Sequence, residues 1–293
     1  MLTGKTFTVS LALVLFAASA GAGPLVYVVN GAQFGTVDLV TGAFQVIGPG
    51  APEGSDGLTP GPNGSLLTLT FSGNLDSINP ATGVATAIGA TGLADCSTPT
   101  SPCGPTSANE LGSLGGTTYA TDFNNDLYTV NPLTGAATLI GPTGMPAVPF
   151  IPDSTNPDGT FNAFDESLFS AGGNLYATFD AIIVNPSPFT VTPVISPDLY
   201  QINPSTGLAT LIGPTALTIG AVVDVNGTLY AFDDMLSQVL ILNLANGNTS
   251  FASNFDPAAG IIGGATPTPE PASFVLAAFG IAALGVGRLR KRG

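Results

Sequence analysis

The chain of 293 residues has no histidine and no tryptophan, and it has only five basic residues. All five lie near the two ends, at Lys5, Arg288, Arg290, Lys291 and Arg292. The 19 acidic residues lie, with one exception, in the body between these ends, which therefore carries a net charge of about −18. Salt bridges cannot stabilise such a body. Repulsion between its carboxylates has to be relieved by spacing, by screening or by cations.

The missing basic residues also exclude classes of function. Binding to a phosphate backbone needs Lys or Arg, so we expect no interaction with nucleic acid. Nucleophilic mechanisms of the Ser/His/Asp or Cys/His type are excluded because the body has no His. A pair of carboxylates can hydrolyse a glycosidic bond, but nothing in the sequence singles out one pair among so many acids. We therefore expect a protein that is not an enzyme, with a carbohydrate-active enzyme as the alternative.

Cysteine is almost as scarce as the basic residues. The only two cysteines, Cys96 and Cys103, lie close together in a segment rich in Pro, Ser and Thr. Two thiolates without a histidine make a poor metal site. In an exported protein this spacing predicts a local disulfide that holds one loop.

The first 22 residues have the pattern of a secretory signal peptide. Lys5 precedes an apolar run from Phe7 to Ala18, and small residues follow at Ala20 and Ala22. A positive start, a short apolar run and a small-residue cleavage site are recognised and cut by signal peptidase. We therefore expect export, with the mature chain beginning near residue 23.

The last 27 residues contain three successive elements. They are Pro269-Glu270-Pro271, an uncharged apolar segment at 272–287, and a basic tail at 288–292. At ~1.5 Å per residue a helix over 272–287 is about 24 Å long, a little short of the roughly 30 Å hydrocarbon core. Flanking basic side chains can compensate, and their position predicts that this end lies in the cytoplasm. We therefore expect a C-terminal transmembrane helix in the inner membrane.

These three elements resemble the PEP-CTERM sorting signal of Gram-negative bacteria. The resemblance rests on Pro269, Glu270 and Pro271, the apolar helix, and Arg288, Arg290, Lys291 and Arg292. It implies processing by exosortase, a membrane-embedded cysteine protease, followed by release to the cell surface or the extracellular matrix. Proteins of this kind often accompany extracellular polysaccharide and biofilm production, so polysaccharide is a candidate partner.

The body contains internal repeats. Three copies are nearly identical, at Leu75–Gly89, Leu127–Gly141 and Leu199–Gly213, and two degenerate copies begin at Gly35 and Val239. Each copy consists of an alternating strand, a turn with Gly where positive φ is needed, and a second strand. A further hairpin precedes most copies, so one unit has four antiparallel strands in about 40 residues. This pattern is typical of a β-propeller blade.

The units predict an all-β fold over residues 23–266, with five blades. The first unit lacks its first strand, and the segment 260–264 after the last unit fits that place, so the C-terminal strand is expected to close the ring. Closure removes the free sheet edges. The predicted blades are 25–49 with 258–266, 56–90, 110–142, 166–214 and 217–256. A six-bladed ring, with strands hidden in 145–165, and a β-solenoid are the alternatives.

The same register predicts two different faces of the ring. One carries tight turns, whereas the other carries long insertions at 90–109, 142–166 and 181–198 and most of the acids. Ca²⁺ prefers carboxylate and carbonyl oxygens. The best local candidate is the segment with Asp122, Asn124 and Asp126. It lacks the Gly and distal Glu of an EF-hand, and a solvated Asx-rich turn explains it better. No cofactor other than Ca²⁺ is predicted.

Taken together, these features predict an exported surface or matrix protein with an interaction or structural role. It would be anchored in the inner membrane before cleavage and then displayed or released. A carbohydrate-active enzyme and a Ca²⁺-dependent adhesion or glycan-binding module remain the alternatives. The sequence names no ligand.

Overall fold

The computed structural model confirms an all-β fold with five four-stranded antiparallel sheets. It describes residues 23–30, 33–52, 54–93, 108–146, 161–186, 189–216, 218–256 and 263–267. One strand of each sheet packs against its counterparts in the neighbouring sheets, so the five sheets are the blades of a propeller. Five blades were predicted, and neither a sixth blade nor a solenoid is formed by the described residues.

The four strands of a blade are called A to D from the centre outwards. The blades follow one another along the chain, except that the A strand of blade one is the last strand of the sequence. In order A to D, blade one consists of β20 Gly263–Pro267, β1 Leu25–Val29, β2 Phe34–Asp38 and β3 Phe44–Gly48, and blade two of β4 Ser55–Pro60, β5 Leu66–Thr70, β6 Asn74–Ile78 and β7 Ala85–Ala90. Blade three consists of β8 Ala108–Leu114, β9 Thr117–Asp122, β10 Asp126–Val130 and β11 Ala137–Pro142, and blade four of β12 Phe161–Ala171, β13 Asn174–Pro186, β14 Phe189–Ile202 and β15 Ala209–Pro214. Blade five consists of β16 Ile219–Val225, β17 Thr228–Asp233, β18 Gln238–Leu242 and β19 Thr249–Asn254.

The turn between strands C and D follows from the repeated Asn-Pro-x-Thr-Gly sequence. In blade three the side chain of Asn131 accepts a hydrogen bond of 2.9 Å from the amide of Leu133, and its carbonyl accepts one of 2.8 Å from the amide of Gly135. Gly135 has φ +82°, a conformation that costs an L-residue free energy and that glycine adopts freely. The same asparagine contact recurs in blades two, four and five, at Asn79, Asn203 and Asn243. The sequence therefore folds this turn locally in each of these blades.

Two glycines of each repeat also bring neighbouring blades into backbone contact. A Cβ atom added to Gly207 in blade four would lie 2.6 Å from the carbonyl oxygen of Gly141 in blade three. A Cβ atom would likewise meet backbone atoms of the partner glycine within 3.0 Å in the pairs Gly83 and Gly48, Gly135 and Gly89, and Gly247 and Gly213. The turn glycine of the repeat is therefore needed for close approach of the blades as well as for the turn, and the final glycine is needed for close approach.

The hydrophobic core lies between the blades rather than in one central body. Five clusters of buried side chains occur, and each one fills the space between two adjacent sheets. The cluster between blades five and one, for example, combines Val26 and Val37 with Phe232, Val239 and Phe255, all of which are at most 3% exposed. Burial of apolar surface, at ~25 cal/mol per Å², is therefore distributed evenly around the ring.

The C-terminal strand closes the ring, as predicted, but it lies slightly later in the sequence. The strand that pairs with β1 is Gly263–Pro267 instead of 260–264. Its register places Pro267 opposite Val26 and Gly263 opposite Val29, with a bulge between Val28 and Val29. Blade one therefore takes three strands from one end of the chain and one from the other.

The prediction that 181–198 forms a loop insertion is wrong. These residues continue strands β13 and β14 beyond the blade, and Phe161 to Asp165 extend β12 beside them. The result is a three-stranded ribbon that runs on from blade four. Its long pairing register also explains why 161–165 does not contribute to a sixth blade.

Several predicted segments lie outside the described residues. They are the signal peptide 1–22, the cysteines Cys96 and Cys103, and the sorting segment 267–293 beyond Pro267. Within the described part of the chain, no helix has the length and apolar character needed to cross a membrane.

Candidate functional site

The propeller has two faces, and the acids collect on one of them. The turn face carries the A–B and C–D turns, and the loop face carries the B–C turns and the connections between blades. The described acids that were predicted for the loop face all lie there: Glu110, Asp122, Asp126, Glu166, Asp180, Asp198, Asp233 and Asp234. Five of these are buried, namely Glu110, Asp122, Glu166, Asp180 and Asp233.

Asp180, Thr218 and Asp233 form a bridge between blades four and five. The amide of Thr218 donates to Oδ2 of Asp180 at 2.6 Å, and its hydroxyl donates to Oδ1 of Asp233 at 2.8 Å. Thr218 is buried and has φ +59°, which is unusual for a β-branched residue. Its strained backbone is what lets one residue reach both carboxylates.

Asp234 follows directly after this bridge, and the described part of the chain contains no Lys, Arg or His that could neutralise it. Burial, and then repulsion by Asp233, raise the pKa of Asp234 to about 6. Burial also raises the pKa of Asp233, although the amide of Leu236 and the hydroxyl of Thr218 partly oppose this by hydrogen bonding. Oδ1 of Asp234 is buried and accepts no hydrogen bond within the described part of the chain. This group can therefore exchange a proton in mildly acidic conditions.

Asp122 is the second carboxyl group with a strongly raised pKa. Its Oδ1 accepts hydrogen bonds from the amides of Asn124, at 3.0 Å, and Asp126, at 2.9 Å, while Oδ2 accepts one of 3.0 Å from the hydroxyl of Tyr128. Burial raises the pKa of Asp122 to about 6 against the opposing effect of these bonds. The carboxylate shapes the B–C turn of blade three.

The predicted Ca²⁺ ligands Asp122, Asn124 and Asp126 thus lie in one turn, but only two of them carry carboxylates. Among the residues that the structure describes, no group of three or more His, Cys, Asp or Glu side chains is arranged to hold a metal ion. In this turn both oxygens of Asp122 already accept hydrogen bonds from the protein. Calcium binding by these three residues stays a prediction.

Two further acids are held on the inner strands. The hydroxyl of Thr121 in blade three donates to Oε1 of Glu166 in blade four at 2.9 Å. The amide of Leu111 donates to Oε1 of Glu110 at 2.9 Å. Both carboxylates are fixed near the inner end of the loop face, where they add to its negative potential.

A cavity of about 380 Å³ lies at the opposite, turn face, near the ends of the inner strands. Thr59, Ser113, Ser167, Ser170 and Phe169 are among the residues that line it. No sequence pattern pointed to this cavity, because the residues that form it come from four blades and share no motif. The arrangement of the ring alone brings them together.

Two tyrosines of blade four pack in the clusters between the blades. Tyr176 and Tyr200 are each 8% exposed, and Tyr176 stacks on Phe169 with ring centroids 5.7 Å apart. The hydroxyl of Tyr200 donates to Asp198 at 3.5 Å. Burial, followed by the charge of Asp198, raises the pKa of Tyr200 to about 12.

No family model and no curated protein matches the chain. Among solved structures, it is similar to a chain of a nidogen/laminin complex, with 13% identity and a TM-score of 0.48 over 83% of this chain and 98% of that one. It is also similar to a structural genomics protein of unknown function from Bacteroides thetaiotaomicron, with 17% identity and a TM-score of 0.44 over 80% of this chain and 58% of that one. A third similar structure is glutaminyl cyclase from Myxococcus xanthus, with 13% identity and a TM-score of 0.38 over 82% and 79%. Likeness at this level carries no argument about ligand or activity, and the propeller is assigned from the strand order itself.

Proposed function

We propose that this protein is an exported β-propeller that is sorted by its C-terminal segment and acts at the cell surface or in the extracellular matrix as a non-enzymatic interaction or structural component. The observation that carries the proposal is the position of the closing strand. β20 ends at Pro267, and Pro269-Glu270-Pro271 begin two residues later. Cleavage at that motif would leave all five blades complete.

The charge distribution supports the same function. The propeller has no Lys, Arg or His, whereas the two ends hold every basic residue of the chain. Basic residues flanking apolar segments direct membrane insertion and orientation. Signal peptidase at the first end and exosortase at the second are therefore the partners that we propose during export.

The sorting step can be tested in a host that carries an exosortase and in its exosortase-deleted derivative. We expect a tagged chain to reach the outside of the first strain in a shortened form, and to stay in the inner membrane of the second at full length. Replacing Glu270 and both flanking prolines with alanine should reproduce the deletion phenotype. Thr268→Ala is the matched control and should be processed normally. Equal release from both strains would refute sorting by exosortase.

Catalysis by paired carboxylates is the second candidate function, and Asp234 is the observation that favours it. A general acid in a glycosidase needs a carboxyl group with a raised pKa, and the pKa of Asp234 is about 6 beside Asp233. Incubation with extracellular polysaccharide and measurement of new reducing ends test this directly. New reducing ends that disappear in the Asp234→Asn variant would refute the non-enzymatic proposal. If no new reducing ends form, the non-enzymatic proposal is supported.

A further inference from the structure

The cavity at the turn face is surrounded by hydrogen-bonding groups that the protein leaves unused. Four of its lining residues carry hydroxyls, namely Thr59, Ser113, Ser167 and Ser170. Thr59 and Ser167 are each only 3% exposed, yet none of the four hydroxyls forms a hydrogen bond with the described part of the chain. None of these oxygens is among the buried side-chain atoms that lack a partner, so water in the cavity can reach them and a ligand can replace that water.

The inner strands add backbone groups to the same wall. Each A strand pairs with a neighbour on one side only, because it is at the edge of its sheet. Its other edge faces the centre of the ring, so amide donors and carbonyl acceptors alternate along the wall. A ligand that fits must both donate and accept hydrogen bonds, as the hydroxyls of a sugar do.

Charge narrows the class of ligand further. Among the described lining residues Asp224 is the one carboxylate, and the propeller offers no basic residue to bind an anion. A single carboxylate does not form a metal site. The volume of about 380 Å³ lies within the ~300–1,000 Å³ typical of small-molecule sites.

The geometry points to a binding site for a neutral sugar unit at the turn-face cavity, independent of metal ions. The ligand is a free saccharide or the terminal residue of a polysaccharide. The site lies on the opposite side of the ring from the acidic loop face, which carries the calcium candidate. The inference does not rest on sorting by exosortase, because binding is measured on the purified chain.

The test uses the full chain in a zwitterionic detergent that contains no sugar. Neutral hexoses and disaccharides are titrated at millimolar concentration by calorimetry and by saturation-transfer NMR. Glucuronate, which differs from glucose by a carboxylate, is the anionic counterpart. We expect a neutral sugar to bind with and without EDTA, and its uronate to bind at least about tenfold more weakly.

Four variants locate the site. Ser113→Leu and Ser170→Leu fill the cavity and should each weaken binding at least about tenfold, whereas Ser250→Leu, on the exposed outer strand of blade five, should leave it unchanged. Thr59→Val keeps the shape, removes one hydroxyl, and should weaken binding about three- to tenfold. Melting temperatures verify that each variant is folded.

Three results would overturn the inference. The first is no binding by any neutral sugar, which means that the cavity holds water only. The second is binding that Ser113→Leu, Ser170→Leu and Thr59→Val all leave unchanged. The third is binding that EDTA abolishes, because that would assign it to the acidic loop face. Competition experiments with polysaccharides distinguish the two ligand sources. A polysaccharide with free ends should compete with the free sugar if the site takes a terminal residue, whereas a polymer without free ends should not compete.

Discussion

Two glycines with the same backbone conformation offer a direct test of how the blades fit together. Gly207 and Gly227 both have φ +84°. A Cβ atom added to Gly207 would lie 2.6 Å from the carbonyl oxygen of Gly141 and 3.0 Å from its carbonyl carbon, whereas one added to Gly227 would meet no heavy atom within 4 Å. The substitutions Gly207→Ala and Gly227→Ala therefore share the backbone cost and differ in the contact with blade three.

The expected magnitudes follow from these two terms. An alanine in the left-handed region costs roughly 1–2 kcal/mol, and this applies to both variants. Overpacking adds about 1–3 kcal/mol at Gly207 alone, because the obstacle is backbone and cannot rotate away. For a domain of this size each kcal/mol lowers the melting temperature by about 2–4 °C. Gly207→Ala should therefore melt about 4–8 °C below Gly227→Ala if the contact costs ~2 kcal/mol.

The assay is thermal and urea unfolding of the full chain, followed by circular dichroism. Gly213→Ala serves as a third variant, because Gly213 does not have positive φ but its added Cβ would strike the carbonyl oxygen of Asn246. It should show the contact cost without the backbone cost. Equal melting temperatures for Gly207→Ala and Gly227→Ala would refute the role assigned to the close approach of blades. A change in the urea m-value would instead indicate an altered unfolded state.

The remaining predictions concern acids, closure and calcium. Burial raises the pKa values of Asp122 and Asp234 from 3.8 to about 6 in the folded state. Between pH 3.8 and 6 the folded state therefore binds more protons than the unfolded state. The stability that these two carboxyl groups contribute is complete below pH ~4 and is lost as the pH rises through ~6. The melting temperature should therefore be higher near pH 4.5 than near pH 7.5. Asp122→Asn keeps an acceptor for the amides of Asn124 and Asp126, and it should reduce the difference in unfolding free energy between these two pH values by up to about 2 kcal/mol. A flat profile in the unmodified chain would contradict the raised values. A chain ending at Phe255 lacks β20 and should melt far below one ending at Thr268, which keeps it; equal melting would disprove closure by that strand. If Asp122, Asn124 and Asp126 hold Ca²⁺, millimolar Ca²⁺ should raise the melting temperature of the full chain by at least about 5 °C, whereas Asp126→Asn should show little of this rise and Mg²⁺ should not substitute.

The sequence was most informative where strands C and D repeat. Alternation around Tyr128 and Tyr200, followed by Asn-Pro-x-Thr-Gly, is a local signal, because the asparagine side chain and the positive-φ glycine form the turn without help from other blades. This signal favoured five blades, whereas closure of the ring was predicted from the missing first strand of the first unit and the segment 260–264.

The inner strands and the sites were much less predictable. The A strands differ in sequence, since each packs against the A strands of its neighbours rather than against a repeated partner. The shift of the closing strand to Gly263–Pro267 and the continuation of β13 to Pro186 are consequences of pairing with distant residues. The bridge through Thr218 joins acids of two blades, and no spacing along the chain could reveal it.

Repetition held one further signal that sequence analysis did not use. After strand D, blades two and three continue with Thr91 and Thr143, and each threonine hydroxyl donates a hydrogen bond of 2.6 Å to a carbonyl of the B–C turn, at Gly73 and Asn125. The carbonyl of Thr143 then accepts from the amide of Ala209 in the next blade, at 2.8 Å. The threonine that follows the repeat is therefore part of the joint between blades.

The pairing of β20 with β1 also determines when the protein can finish folding. Strands β1 to β3 leave the ribosome first, but their fourth strand emerges last. The sheet of blade one therefore keeps one edge open until the end of the chain has been made. Contacts between residues so distant in sequence form slowly. The entropic cost of bringing the two ends of the chain together is nevertheless modest, because it grows only with the logarithm of the loop length. We therefore expect arrival of the C-terminal segment to limit the rate of folding, and, under the proposed export, the open edge of β1 to be the part that a chaperone outside the cytoplasm protects.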